Sequence, residues 1–289
     1  MSASENKAWL KHYTPWTPHS LDYGESTLLD VYNDNQRRNA DKSAMYFFGR
    51  TTSYAELDRQ VRRAAAGLKA FGVRPGDRVA LVMPNCPQHM VAFWAALKLG
   101  AIVVEHNPLY TAHELEGLFQ NHGARVAVAW DKTASTLEKL RDKTELETIV
   151  AVNMIEAMPK SQQVALKIPL PPLKKLRTQL SAPAENTVPW ATLLSDAIGG
   201  DGRDLTSPAD IDRDTTAVIL YTSGTTGEPK GAELTHGSLY ANLLMGKAWV
   251  KGLGDKDERM LAALPMFHAY GLTFSATLGQ LIGGEVILL

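Results

Sequence analysis

The sequence predicts an α/β protein in which mainly parallel sheets are flanked by helices, and three observations carry that prediction. Helix-like and strand-like patterns alternate between residues 51 and 130 in the order that crossover units require. The alternation resumes at Thr216 after an interval broken by prolines. Hydrophobic residues make up 45% of the 289 and charged residues 21%, which supplies a sizeable core and is far from the composition of a disordered chain. At roughly 100 to 200 residues per domain, the length fits two domains or one large one.

The elements follow in order. Ser53 and Glu56 have capping-box spacing, and Leu57, Val61, Ala64, Ala65 and Leu68 then share one helical face that Gly72 closes. Pro75 and Gly76 make a turn into a buried strand at 78–83. An apolar helix over 88–99 ends at Gly100, and a strand occupies 101–105. Thr111 and Glu114 repeat the capping box for a helix with Leu115, Leu118 and Phe119 inward, followed by a strand at 125–130. Pro159, Pro169, Pro171, Pro172, Pro183 and Pro189 break this rhythm over 154–208, which reads as an insertion or linker. Within it Leu173, Leu176 and Leu180 stand at helical spacing beside Lys174, Lys175 and Arg177. That segment is either a short basic amphipathic helix for an anionic membrane surface or, as the favoured reading, a solvated linker helix. Beyond it the pattern gives a strand at 216–222, a helix at 238–248, a strand at 259–264, a helix at 272–281 and a central-type apolar strand at 285–289. The chain thus divides into a first α/β subdomain (1–153), the proline-rich stretch (154–208) and a second α/β segment (209–289).

Charge and cysteine content exclude several classes of function. The 30 Lys and Arg against 31 Asp and Glu leave a net charge of −1, so no general attraction to nucleic acid arises. The single cysteine, Cys86, precludes an internal disulfide and the multi-cysteine zinc patterns. The opening MSASENKAWL has no basic start followed by an apolar run, and no stretch approaches the roughly 20 apolar residues of a membrane helix. A cytoplasmic protein is expected, with peripheral membrane association left open. Cys86 has no adjacent base and reads as a buried or incidental thiol. His106, His113 and His122 are spaced too irregularly for a zinc helix and read as solvated or capping residues, and no metal site is assigned.

The informative segment is YTSGTTGEPKG, residues 221–231. Gly224 and Gly227 permit backbone conformations in which successive N–H groups converge on anionic oxygens. Thr222, Ser223, Thr225 and Thr226 add hydroxyl donors and Lys230 a compact positive charge. A Walker loop fails because Glu228 and Pro229 separate Gly227 from Lys230 and Gly231 follows the lysine; GxGxxG is absent as well.

This run resembles the signature loop of the adenylate-forming superfamily, which comprises acyl-CoA synthetases, luciferases and the adenylation domains of peptide synthetases. LPMFHAYG at 264–271 is similar to the segment that forms part of the acyl and adenine-side wall in acyl-CoA synthetases, and FGRTTSYAEL at 48–57 and GAIVVEHNPLYTAHEL at 100–115 extend the likeness. WLKHYTPWTPHSLD at 9–22 and the proline-broken stretch look most like bacterial long-chain fatty acid CoA ligases. The resemblance implies the large N-terminal domain of that fold, incomplete here. It implies a reaction in which a fatty carboxylate attacks ATP to give acyl-AMP, after which CoA takes the acyl group. ATP, fatty acid and CoA are then the small-molecule partners, with Mg2+ accompanying ATP.

By this likeness Thr222, Ser223, Gly224, Thr225, Thr226, Gly227 and Lys230 bind nucleotide, with Lys230 and His268 in catalytic roles. Met266, Phe267, His268, Tyr270 and Gly271 fall to the substrate, although Met266, Phe267 and Tyr270 read equally as tunnel lining or core. In the family a later Tyr-Gly-x-Thr-Glu segment supplies the magnesium glutamate, a later aspartate the ribose contact, and a C-terminal domain the catalytic lysine. None occurs in these 289 residues, so the chain is expected to be inactive alone and to leave apolar edges for which a homodimer is one outcome. The competing readings are a fatty acyl-AMP ligase or other adenylating enzyme, and a module that only binds nucleotide or acyl ligand.

Overall fold

The computed structural model describes residues 7–222 and 229–289. In chain order the described helices are α1 (Leu28–Arg38), α2 (Tyr54–Ala70), α3 (Pro87–Lys98), α4 (Ala112–His122), α5 (Ala134–Glu138), α6 (Lys160–Ala165), α7 (Pro171–Leu180), α8 (Trp190–Leu193), α9 (Asp196–Gly199), α10 (His236–Trp249) and α11 (Leu278–Leu281). The strands are β1 (Ser43–Phe47), β2 (Arg50–Ser53), β3 (Arg78–Val82), β4 (Ile102–Glu105), β5 (Val126–Trp130), β6 (Thr148–Val152), β7 (Val188–Pro189), β8 (Thr216–Thr222), β9 (Lys230–Thr235), β10 (Arg259–Ala262) and β11 (Glu285–Leu288).

Two sheets form among them. A seven-stranded sheet runs β7-β6-β5-β3-β4-β8-β9 and is parallel except where β9 turns back on β8. A four-stranded sheet runs β10-β11-β1-β2, with only β2 antiparallel. The predicted α/β class with mainly parallel sheets is what the chain adopts. The larger sheet takes strands from 1–153, 154–208 and 209–289, and the smaller one joins residues 43–53 to residues 259–288. The apolar strand anticipated at 285–289 is central, held between β10 and β1.

Period-two side-chain alternation divides the core at the large sheet. Val79, Leu81 and Met83 face a larger core that α2, α3 and the four-stranded sheet share, whereas Ala80 and Val82 face a smaller one with Leu115, Leu118 and Phe119 of α4. Burial on both faces explains the unbroken apolar run of β3. The capping expectations hold locally. Ser53 Oγ accepts the Glu56 N–H at 3.2 Å, and Thr111 and Glu114 cap α4 reciprocally. Gly123 ends α4 at φ 62°, a left-handed conformation that favours glycine.

The proline-broken stretch is docked rather than free. β7 pairs with β6, and Trp130 Nε1 donates to the Leu180 carbonyl at 2.8 Å. Of the three leucines on α7, Leu180 is buried and Leu173 packs against the larger core, so most of the stripe predicted for solvent or membrane is spent inside. The helix expected at 272–281 is divided into a π-helix (Gly271–Thr277) and α11. No described helix is long and apolar enough to cross a membrane.

Candidate nucleotide and acyl site

Strands β3, β4 and β8 are parallel neighbours, so their carboxyl ends open on one edge of the sheet, the edge where ligands bind in open parallel sheets. Asn85, the pair Glu105 and His106, and the pair Tyr221 and Thr222 stand at or just past those ends.

The strand expected before the phosphate-type loop is β8, but a second strand, β9, intervenes before the helix. Thr222 faces Lys230 and Tyr221 faces Gly231 across this hairpin. The main chain of these four residues therefore belongs to the ladder. In an antiparallel pair only alternate facing pairs exchange N–H···O bonds, so the ladder takes up part of the expected cradle of N–H groups at these four positions, and Pro229 has none to give. Ser223, Gly224, Thr225, Thr226 and Gly227 lie outside the described residues. Thr222 and Lys230 are exposed, with Thr222 Oγ1 3.5 Å from the Lys230 carbonyl.

Tyr221 is fixed from below by an aromatic cluster. Its hydroxyl donates to Asn121 Oδ1 at 2.6 Å, and its ring stacks on His106 at 5.8 Å between centroids. His106 and His122 are buried and lie Nε2 to Nε2 at 3.1 Å, which corrects their reading as solvated residues; His113 is exposed. The hydrogen bonds fix the tautomers. His122 Nδ1 accepts the Ala124 N–H at 3.0 Å, so its Nε2 carries the proton and donates to His106 Nε2. The remaining proton of His106 sits on Nδ1, which is buried without a partner. Burial pushes His106 down to about 3, and burial followed by the neighbouring His106 pushes His122 down to about 2, so both rings stay neutral.

The LPMFHAYG segment is held by a residue that the sequence did not single out. Asn85 Nδ2 donates to the Ala262 and Leu264 carbonyls at 2.8 and 2.9 Å, and its Oδ1 accepts the Met266 N–H at 2.8 Å. These partners are 177 to 181 positions away, so no local pattern marks Asn85. Met266 is fully buried in the core, whereas Phe267 is half-buried against the exposed His268, with ring centroids 4.6 Å apart. Gly271 is required by close approach, because a Cβ there would lie 2.0 Å from the Pro265 carbonyl oxygen. Tyr270 stacks on Phe274 at 4.7 Å. Both rings line an apolar cavity of about 490 Å³ with Leu234 of β9 and Leu239 and Asn242 of α10. The strand leaving the loop and the second motif thus border one space, which suits an acyl chain. Of the five predicted substrate residues, Tyr270 lines it, whereas Met266, Phe267, His268 and Gly271 do not.

On the other face of β4, His89 and Glu105 form a fully buried pair. His89 Nε2 lies 3.0 Å from both carboxylate oxygens and Nδ1 3.3 Å from the Pro84 carbonyl. Burial opposes the charge on His89, but the charge and hydrogen bond of Glu105 together with the Pro84 carbonyl outweigh it and raise the imidazole above its ordinary value. Both ring nitrogens face acceptors, as an imidazolium requires. Cys86 is buried, and burial pushes its thiol up to about 12, which leaves it inert. Among the described residues no three His, Cys, Asp or Glu side chains come together as a metal site.

Residues 32–289 match the family described as AMP-binding enzyme. A long-chain-fatty-acid–CoA ligase of Bacillus subtilis is 32% identical over 284 residues, covering 98% of this chain and 50% of the relative. Among solved structures, an anthranilate CoA ligase in complex with anthranoyl-AMP superposes with a TM-score of 0.75 at 21% identity, over 93% of this chain and 46% of that one. A long-chain-fatty-acid-CoA ligase from Archaeoglobus fulgidus gives 0.73 at 24% identity, over 96% and 49%. The chain spans about half the length of the relatives it matches, and the solved structures share its fold. A family match over nearly the whole sequence, together with the loop hairpin and the wall segment beside it, makes this chain a member of the AMP-binding enzyme family.

Proposed function

We propose that the chain is the N-terminal part of an ATP-dependent long-chain fatty acid CoA ligase, which joins a fatty carboxylate to AMP and then passes the acyl group to CoA. The observation that carries the reading is the shared cavity. Leu234, near the far end of the strand β9 that leaves YTSGTTGEPKG, lines the same apolar space as Tyr270 of the second motif, so the elements that carry the two motifs meet at a cavity of acyl size. Thr222, Ser223, Gly224, Thr225, Thr226, Gly227 and Lys230 hold the nucleotide phosphates in this reading. Lys230, exposed at the start of β9, offsets negative charge that grows on the leaving pyrophosphate, the kind of contact that stabilises a transition state rather than only the ground state. His268, also exposed, positions the fatty carboxylate, and Gly271 lets its carrier segment close on Pro265. None of the described residues is assigned to Mg2+.

Fatty-acid-dependent exchange of pyrophosphate into ATP tests the reading in a protein that carries these residues and continues through Tyr-Gly-x-Thr-Glu. Lys230→Ala is expected to lower exchange roughly tenfold to a hundredfold, the loss of one charge-assisted contact. Undiminished exchange overturns the role of Lys230. Product formation that requires a carrier protein in place of CoA points to a fatty acyl-AMP ligase.

A further inference from the structure

We propose that residues 160–177, with the hairpin tip at Phe48, form a surface that docks on an anionic lipid bilayer. The first observation is charge. Lys160, Lys167, Lys174, Lys175 and Arg177 fall in a stretch, 157–184, that contains no Asp or Glu, in a chain whose total is −1. The second is apolar exposure in the same stretch: Val164 is 63% exposed, Ile168 46%, Leu170 52% and Leu176 37%. Scattered single exposures are ordinary, but four aliphatic side chains within thirteen residues, interleaved with three cations and flanked by two more, are not.

The backbone holds these residues in place before any partner arrives. Between α6 and α7 the Ile168 N–H donates to the Ala165 carbonyl, Leu170 to Ile168 and Lys174 to Leu170. The C-terminal carbonyls of α7 at Thr178 and Gln179 accept from Lys132 Nζ at 3.0 and 3.2 Å. Because Leu173 and Leu180 face inward, the apolar tips are Ile168 and Leu170 of the connection with Val164 of α6 and Leu176 of α7, and not a leucine stripe. Phe48 extends the patch. Gln162 Nε2 of α6 donates to its carbonyl at 2.7 Å, it is 40% exposed, and its φ of 46° is an outlier for an aromatic residue. The β1–β2 turn therefore keeps a ring at an exposed tip against local backbone preference.

A bilayer uses both halves of this surface. Lys and Arg reach anionic headgroups while short aliphatic side chains enter the boundary with the acyl chains. Single-stranded nucleic acid would reward stacking aromatics and has no use for Val, Ile and Leu.

Sedimentation of the purified chain with vesicles tests this. Binding is expected to vesicles containing phosphatidylglycerol, to be lost in high salt, and to be absent from pure phosphatidylcholine. Neutralising Lys167, Lys174 and Lys175 to Gln together should weaken partition on the order of a hundredfold, at about fivefold per charge. Ile168→Ser with Leu170→Ser should weaken it about tenfold. These positions are exposed, so unchanged circular dichroism verifies that the variants fold. As an independent readout, Ile168→Cys carrying an environment-sensitive dye should shift to the blue on phosphatidylglycerol vesicles; buried Cys86 does not compete for the label. Equal binding to neutral and anionic vesicles, full binding by the triple variant, or an unshifted dye overturns the proposal. So does binding to an oligonucleotide with none to vesicles.

Discussion

Glu105 and His106 follow one another at the end of β4, yet they serve opposite faces of the large sheet in opposite ways. On the α3 face Glu105 meets His89 in a buried charged pair. On the α4 face His106 meets His122 in a buried neutral one. Both faces exclude water, so burial alone did not choose between charge and neutrality. The partner did. A carboxylate together with the Pro84 carbonyl outweighs the loss of hydration of His89, whereas a second imidazole offers His106 nothing to offset it. Alternation along a strand thus lets adjacent residues hold contrary protonation states at one ligand-facing edge.

The largest effect should come from breaking the charged pair. His89→Ala leaves the Glu105 carboxylate buried and unpaired, and the expected loss is about 3–5 kcal/mol by chemical denaturation. Replacing both residues with Leu should cost far less than that single change; an equal loss would show that packing, not charge, sets the value. On the neutral side, His122→Ala removes the acceptor of the Ala124 N–H and the donor to His106, and about 2–3 kcal/mol is expected.

The pH dependence sharpens the contrast because the signs differ. His106 and His122 lie below the ordinary histidine value, so their contribution is present above about pH 6.5 and is lost as pH falls toward about 3. His89 lies above it, so its contribution is present below about pH 6.5 and is lost as pH rises through its raised value. Melting profiles should therefore lose their alkaline slope in His89→Ala and part of their acid slope in His106→Asn. Parallel profiles for the two variants would contradict the assignment. The smallest effect, about 1 kcal/mol, is expected for Ser53→Ala, which removes only the cap of α2.

Much of the frame was readable because burial wrote it into local patterns. β3, β4 and β5 are apolar on both faces, and the helices beginning at Tyr54 and Ala112 carry their caps three residues apart. β9 was not readable, since Lys230, Gly231, Ala232 and Glu233 are all exposed and an edge strand needs no apolar alternation. The β1–β2 hairpin turns at Phe48 and Gly49, a pair that does not announce a turn as Asn-Gly would. At the site, the loop and wall motifs stood out by composition and resemblance. Asn85 did not, because its three bonds are made to a segment far along the chain. The two histidine pairings were equally silent, as each is sixteen residues apart and depends on a strand meeting a helix.

The placement of β11 between β1 and β10 also bears on how the protein is made. Met45 finds its register partner in Val286, so during synthesis the first hairpin emerges more than two hundred residues before the strand that completes its sheet. Closing so long a loop before any pairing can reward it favours slow assembly of the smaller sheet. Until then the flank of β1 stays open to mispairing, and chaperone dependence should concentrate on that interval of translation.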